Sequence, residues 1–338
     1  MQLYIDSYGA YLGVKHGRFY VRTASRSTQL IAVRLVNAIF LTQSTSISTN
    51  AMLLAIAHDI PIILVDSINH PVGQVWSGQF GSICTIRKQQ SLFCQQQAGL
   101  EWIRQCLCQK IANQLLLLEQ LQAAVATSDF ADERQKAIAI AQKMKQNIAE
   151  YSFDTPLLEH SSIIASFRGW EGIASRHYFR AISAALPADF AFPFRSRRPA
   201  LDPFNALLNY LYGILYAMVE LALMKAGIDP YMGIMHADEY NKPTMVYDFI
   251  EPYRYWADAV AVRLCQGNSL SIAFFEQDEA KGCLLGSAYR AIVVNSFMKF
   301  MHQLMSIDGL SRKRITHLEL AALKMATMLK ERNKTATQ

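Results

Sequence analysis

The sequence predicts an α+β chain: an N-terminal β-sandwich-like domain followed by a larger all-α C-terminal domain. Three observations carry this. Residues 1–90 hold short β-branched and aromatic runs broken by Gly, Asn, Ser or Pro. From about residue 90 the apolar spacing changes from two to three and four. The 338 residues, 51% hydrophobic and 18% charged, are enough for two domains with a sizeable core and exclude a disordered chain. The boundary is placed near residue 90, giving domains at 1–90 and 91–338.

Taken in order, LYIDS, YLGVK, RFYVR and PIILVDS read as strands. TNAMLLAIAHD (49–59) interrupts them as a short helix that Asn50 can cap, and Pro61 restarts a strand. HPVGQVW (70–76) is a turn leading into another strand. Residues 91–127 contain no Pro and only Gly99, which predicts one long helix, with a second at 133–151. Thr155-Pro156 opens a third helix, as N-cap and first residue. A fourth runs from Gly169 to Leu186 with Glu171 at its head. The Pro- and Arg-rich stretch 187–203 is a loop. Asp202 and Pro203 start a long helix that Lys225 and Gly227 close. Residues 231–250 look hairpin-like, bending at Asn241-Lys242-Pro243, and helices follow at 253–265, 278–304 and 311–332. The tail NKTATQ is expected to fray.

The formal charge of +6 suits an anionic partner without requiring one. The six cysteines form no CxxC pair and are expected to be reduced core thiols. With no signal-peptide pattern at the N-terminus, a cytoplasmic protein is expected. The most apolar run, 204–227, carries Asn205, Asn209 and Glu220 and starts with a soluble-type cap, so it is expected to be a buried helix and not a membrane span.

Chemistry-bearing residues are few. Glu171, His236, Asp248 and Glu251 stand out by setting, the last two at the exit of an expected apolar strand and just before Pro252. Two carboxylates and an imidazole suit a divalent cation, magnesium or manganese. Each residue also has a plainer role: Glu171 as a dipole partner at a helix start, His236 as a structural histidine, Asp248 and Glu251 as helix caps. A basic cluster is more pointed. Arg195, Arg197 and Arg198 lie beside Phe192 and Phe194, and Arg168, Arg176 and Arg180 flank Tyr178 on the nearby helix. Arginine forks bind phosphates and interleaved aromatics stack on bases, while the plainer alternative is a solvated loop whose arginines fold over the core.

Three blocks in order carry a resemblance: RGWEGIASRHYF (168–179), RRPALDPFNALLNYLYGILY (197–216) and GIMHADEYNKPTMVYDFIEPYR (233–254). Together they resemble the signature blocks of the CRISPR-associated spacer integrases, the universal adaptation subunit. IPIILVDSINHPVGQVWS (60–77) resembles that family's last strands before its helical domain. The likeness spans about residues 1–310; residues 311–338 match no signature.

The resemblance implies that Glu171, His236 and Glu251 are metal ligands, that Asp248 is a supporting acid, and that Arg168, Arg176, Tyr178, Arg180, Arg195, Arg197 and Arg198 contact DNA. It also implies transesterification, a spacer 3′-hydroxyl attacking a phosphodiester at the edge of a CRISPR repeat, with a magnesium or manganese ion. The implied partners are double-stranded spacer-precursor DNA with 3′ ends, CRISPR repeat DNA, a second copy in a homodimer, and a small dimeric adaptation subunit completing a heterohexamer. The segment after His236 departs from the family pattern, so Asp238 and Glu239 are extra acids that could compete as ligands. The competing readings are a stand-alone structure-specific nuclease or transposon-type integrase, and a non-catalytic basic DNA-binding protein.

Overall fold

The computed structural model describes every residue except 1, 24–27, 37, 59, 66–70, 76–82, 123–124, 126, 154–159, 237–239, 268–269, 281 and 336–338. The chain divides into two compact units, Met1–Ile83 and Cys84–Gln338.

The first unit carries β1 (Gln2–Ile5), β2 (Tyr11–Lys15), β3 (Arg18–Arg22), β4 (Thr28–Ile31), β5 (Ala38–Leu41), β6 (Ser46–Ile47), α1 (Thr49–Ala57), β7 (Ile62–Val65) and β8 (Pro71–Val75). Two four-stranded sheets form, in the orders β1-β5-β7-β8 and β4-β3-β2-β6. The first is parallel except for β8; the second is an antiparallel meander with β6 added parallel to β2. His16 and Gly17, both at positive φ, make the two-residue turn between β2 and β3. Leu3, Ile5, Leu12, Phe19, Ile39 and Ile62 share one core with Ala51 and Ala55 of α1. β4, β5 and β6 escaped the sequence reading. AIFL of β5 is buried at all four positions, so it shows none of the alternation that marks a half-exposed strand. The cap of α1 is Ser48, whose hydroxyl accepts from the Ala51 N–H, in place of the expected Asn50.

The second unit contains α2 (Ile83–Gln95), α3 (Gln97–Gln122), α4 (Ser128–Ala149), α5 (His160–Ala184), α6 (Pro203–Lys225), α7 (Thr244–Phe249), α8 (Arg254–Gln266), β9 (Phe275–Asp278), β10 (Gly282–Leu285), α9 (Arg290–Met301), β11 (Leu304–Ile307), β12 (Leu310–Lys313) and α10 (Arg314–Thr335). Several expectations are corrected. The single helix expected at 91–127 is broken at Gln96, where a side chain at Gly99 would run into the Phe93 carbonyl. The Thr155-Pro156 helix start lies outside the described residues. α5 is already helical at His160, so Gly169 begins nothing and Glu171 sits mid-helix. Residues 231–250 form turns followed by α7, with no strand among the described residues. Part of the expected helix 278–304 is the β9–β10 hairpin, and a second hairpin, β11–β12, precedes α10.

α6 follows its sequence signals. The Asp202 carboxylate accepts from the Asn205 N–H at 2.8 Å, Pro203 opens the helix, and Gly227 follows at φ 82°. It is the one helix among the described residues long and apolar enough to cross a membrane, and 56% of that apolar window is buried inside the protein. Phe204, Leu207, Leu208, Leu211, Leu215 and Val219 place it at the centre of the second core, against α8 and α10.

Candidate active site and nucleic-acid groove

α3 packs on α5 and on the turn before α8, and this brings Lys110, Glu171 and Glu251 together. Glu251 opens the one-turn 3-10 segment Glu251–Tyr253. Pro252, which lacks an N–H, prevents α7 from running into α8 there. Asn113 of α3 holds that turn through the Pro252 carbonyl at 2.7 Å. The Lys110 ammonium lies between the two carboxylates. It pairs with Glu171 Oε1, which also accepts from the Ser175 hydroxyl one turn on at 2.5 Å, and lies 2.6 Å from Glu251 Oε2. Arg254 Nε donates to the other oxygen of Glu251 at 2.9 Å.

The electrostatics follow from burial. Glu251 is 4% exposed. Burial alone pushes its carboxyl up, but Arg254 and then Lys110 pull harder and leave it at about 2. Burial pulls the Lys110 ammonium down, yet Glu171 and Glu251 outweigh this and raise it above the usual lysine range. Glu251 Oε2 is nevertheless a buried oxygen with no well-directed hydrogen bond: the ammonium is near it but off the hydrogen-bonding geometry.

His236 stands on a segment built by Asp248. This fully buried carboxylate accepts from the N–H groups of Ile234, Met235 and His236 at 2.6, 2.9 and 3.3 Å, and pairs with His236 Nδ1 at 2.6 Å. Asp248 sits in α7, not at a strand exit. With Nδ1 facing a carboxylate, His236 keeps Nε2 for another partner. Gly233 is required here, because a Cβ would lie 2.7 Å from Thr244 Cβ. Arg168, one turn before Glu171 on α5, donates to the Met235 carbonyl and ties this segment to the same helix.

The donors have the chemistry of a hard divalent-cation site. Two carboxylates converge on one cationic position, and a buried carboxylate oxygen there lacks a directed donor. The complete ligand set is not assembled. Among the described residues no three His, Cys, Asp or Glu side chains gather to hold a metal ion. His236 lines a neighbouring pocket with Cys94 and His160, while Glu171 lines another. Asp238 and Glu239 lie outside the described residues.

The cleft at Glu171 has a volume of about 360 Å³ and is lined by Lys110, Arg176, Arg180, Phe194 and Arg197, among others. Arg176, Arg180, Arg197 and Arg198 are exposed. Of two further residues expected at a nucleic-acid surface, Tyr178 is internal and Arg195, half-buried in the cleft lining, is taken up by contacts within the protein. Tyr178 is 1% exposed, and its hydroxyl donates to Asp258 at 2.8 Å, beside Tyr212, which donates at 2.7 Å. Arg195 is spent on the fold: it donates to Asn205 at 2.7 Å, Asn209 at 2.5 Å and the Ser196 carbonyl, and lies over the Tyr212 ring. The loop it secures is also pinned by Cys283 N–H donating to the Ala200 carbonyl, an approach that leaves no room for a side chain at Gly282.

Sequence reasoning missed Lys110 and Arg254. A signal for Lys110 existed. It lies on the buried stripe of α3 with Cys106, Leu107, Ile111 and Gln114, and a charge on such a stripe demands a buried counter-charge. Arg254 was inside a quoted block but carried no role; it pairs with Glu251 while lying over Tyr212 and Tyr216.

Comparison with known proteins now adds to this geometry. The family model for CRISPR associated protein Cas1 matches residues 3–299. A CRISPR-associated endonuclease Cas1 of Archaeoglobus fulgidus is 28% identical over 279 residues, 78% of either chain. Among solved structures, a casposase bound to integration product superposes with a TM-score of 0.74 at 16% identity, over 98% of this chain and 91% of that one. A chain of a Cas6-RT-Cas1–Cas2 complex gives 0.74 at 21% identity, over 98% of this chain but 35% of that longer one. At these identities the structural likenesses speak for the fold.

Proposed function

The chain belongs to the CRISPR-associated Cas1 family, and we propose that it is a divalent-metal-dependent DNA endonuclease and integrase, joining the 3′-hydroxyl ends of spacer DNA to a repeat by transesterification. One observation carries this reading: two carboxylates from distant parts of the chain, Glu251 buried and Glu171 half-buried, converge on a single cationic position beside a cleft edged by exposed arginines. Glu171 and Glu251 would hold a magnesium or manganese ion, with His236 Nε2 as the third donor. Such an ion supplies Lewis-acid polarisation of a phosphodiester and stabilises a departing 3′ oxygen.

The chain's own residues do the rest. Asp248 fixes the ring and tautomer of His236. Arg176, Arg180, Arg197 and Arg198 grip DNA phosphates, and Arg168 holds the His236 segment in place. No side-chain nucleophile is required. The spacer 3′ oxygen forms the new P–O bond, the repeat strand's P–O3′ bond breaks, and the leaving 3′ oxygen takes up a proton. One phosphodiester replaces another, so no external energy source enters. Water in place of the 3′-hydroxyl gives the endonuclease reaction.

The proposed assembly is a homodimer joined by a small dimeric adaptation subunit into a heterohexamer around double-stranded spacer and repeat DNA. Likeness of fold to a chain from a Cas1–Cas2 complex supports it. Six free cysteines fit a cytoplasmic setting.

The test is strand transfer on labelled branched DNA mimicking a half-integrated spacer, with magnesium, manganese or EDTA. Metal-dependent joining by wild type and none by Glu171→Ala is the expected result. Equal joining by both would remove Glu171 from the chemistry. A second reading, a non-catalytic DNA-binding protein, is favoured by Lys110, which already neutralises the carboxylates. It requires DNA function to survive Glu171→Ala and to ignore EDTA.

A further inference from the structure

We propose that Lys110 is the resident counter-ion of the metal site: it holds Glu171 and Glu251 together in the metal-free protein and is exchanged for the divalent ion on loading. The inference rests on the reading of those two glutamates as the metal's carboxylates.

Charge counting carries the first step. Glu171 and Glu251 contribute two negative charges, and Lys110 and Arg254 two positive ones, so the cluster is already neutral. A divalent cation added to it would leave an excess of two positive charges in a site where Glu251 and Lys110 are almost wholly buried. Such an excess is disfavoured in low dielectric, and one cation must leave. Arg254 is the poorer candidate. It is buried among Tyr212 and Tyr216 and forms a directed hydrogen bond to Glu251. Lys110 is the better one. Its ammonium is a point charge on a flexible stem; it donates one hydrogen bond, to the half-buried Glu171, while its contact with the buried Glu251 Oε2 is coulombic, without hydrogen-bond alignment. A spherical ion reproduces such a contact without loss.

Room for the exchange exists. Lys110 lines the same cleft of about 360 Å³ as Arg176, Arg180 and Arg197. The displaced ammonium therefore enters the proposed phosphate groove, where its charge is useful. Metal loading and DNA capture become coupled: the ion that readies the carboxylates also delivers a further cation to the DNA. In the empty protein, Lys110 keeps two carboxylates from repelling each other and the site from collapsing.

The experiment uses the full chain and manganese. Wild type is treated with a small amine-acylating reagent with and without Mn²⁺, and labelling of Lys110 is read by mass spectrometry against Lys136, whose side chain is 61% exposed. Lys110 is expected to be protected in EDTA and labelled several-fold faster with Mn²⁺, and Lys136 to be unchanged. In parallel, Lys110→Met is titrated calorimetrically with Mn²⁺ and melted with and without it. It should bind Mn²⁺ at least ten-fold more tightly than wild type, melt at a lower temperature in EDTA, and recover with the metal. If the variant does not fold in EDTA, the labelling of wild type decides. Manganese binding by wild type with unchanged Lys110 labelling, or weaker binding by Lys110→Met, overturns the exchange while leaving the metal reading intact. No manganese binding by wild type overturns both.

Discussion

Tyr178→Phe separates a structural tyrosine from a DNA-binding one. The Tyr178 hydroxyl, on a 1% exposed residue, donates to Asp258 Oδ2 at 2.8 Å, and Tyr212 donates to Oδ1 at 2.7 Å. Burial raises the Asp258 carboxyl above the usual range, against the two phenols that lower it. Removing one phenol hydroxyl leaves this buried carboxyl half-served. A hydrogen bond to a charged partner contributes about 1.5–3 kcal/mol, so a loss of about 2 kcal/mol is expected. With a urea slope of about 2–3 kcal/mol/M, the unfolding midpoint falls by somewhat under 1 M. Tryptophan fluorescence reports it well, because Trp102, Trp170 and Trp256 all belong to the helical unit. Asp258→Ala strands both phenols and should cost about 3–5 kcal/mol. Tyr178→Phe with Tyr212→Phe should depart from additivity, because the two share one acceptor. DNA affinity of Tyr178→Phe, measured at low temperature, should match wild type within about two-fold. A ten-fold loss of DNA affinity with an unchanged urea midpoint would refute the reasoning.

Two further predictions concern the arginines and acid stability. Arg197→Ala with Arg198→Ala should weaken DNA binding and flatten its log–log salt slope by about 1.8, the value for two lost phosphate contacts. Arg195→Ala should leave that slope unchanged and instead lower stability by about 1–3 kcal/mol, through the lost bonds to Asn205 and Asn209. An unaltered slope in the double variant takes that loop out of the interface. For acid stability in EDTA, the folded Glu251 carboxyl lies at about 2 against an ordinary 4.5. A depressed folded value gives stability that is fully present above pH 4.5 and lost as pH falls toward 2, in total about 3 kcal/mol. Glu251→Gln should flatten the urea-midpoint profile in that window; an identical profile in the variant contradicts the assignment.

What could be read in the sequence was what neighbours along the chain decide. The start and stop of α6 lie within a few residues of Asp202-Pro203 and of Gly227, so local chemistry sufficed. The Glu171 helix was misjudged because Gly169 and Gly172 suggested a break. Both face open space, and packing on α4 carries α5 straight through them. The β9–β10 hairpin was taken for helix because its apolar residues run on into α9 without a Pro. Among the site residues, Glu171, His236, Asp248 and Glu251 stand out in the sequence as a group, whereas the structure pairs Glu171 with Glu251 across Lys110 and His236 with Asp248, a division of labour that spacing does not show. That Asp248 serves three N–H groups, that Tyr178 turns inward, and that Lys110 bridges two glutamates are facts of tertiary approach, which one-dimensional spacing does not encode.

The fully buried Gln90 amide has a consequence for when the site comes into being. Its nitrogen donates to the carbonyls of Asp229 and Met232, 139 and 142 residues later, and its oxygen accepts from the Asp229 N–H. The segment that leads to His236 is thus anchored to the first helix of its unit, across most of that unit's length. Contacts of such separation are slow to close, because the entropy of the intervening loop is lost before any bond forms. A ribosome delivering about 5–20 residues per second makes Gln90 many seconds before Met232. The buried amide must wait for its partners, and the cluster on Lys110 waits longer still, for Glu251. A nascent chain therefore carries the exposed arginines of α5 and the loop after it before it owns a finished cluster, and under the proposed function it gains strand cutting or joining only when its helical unit has closed.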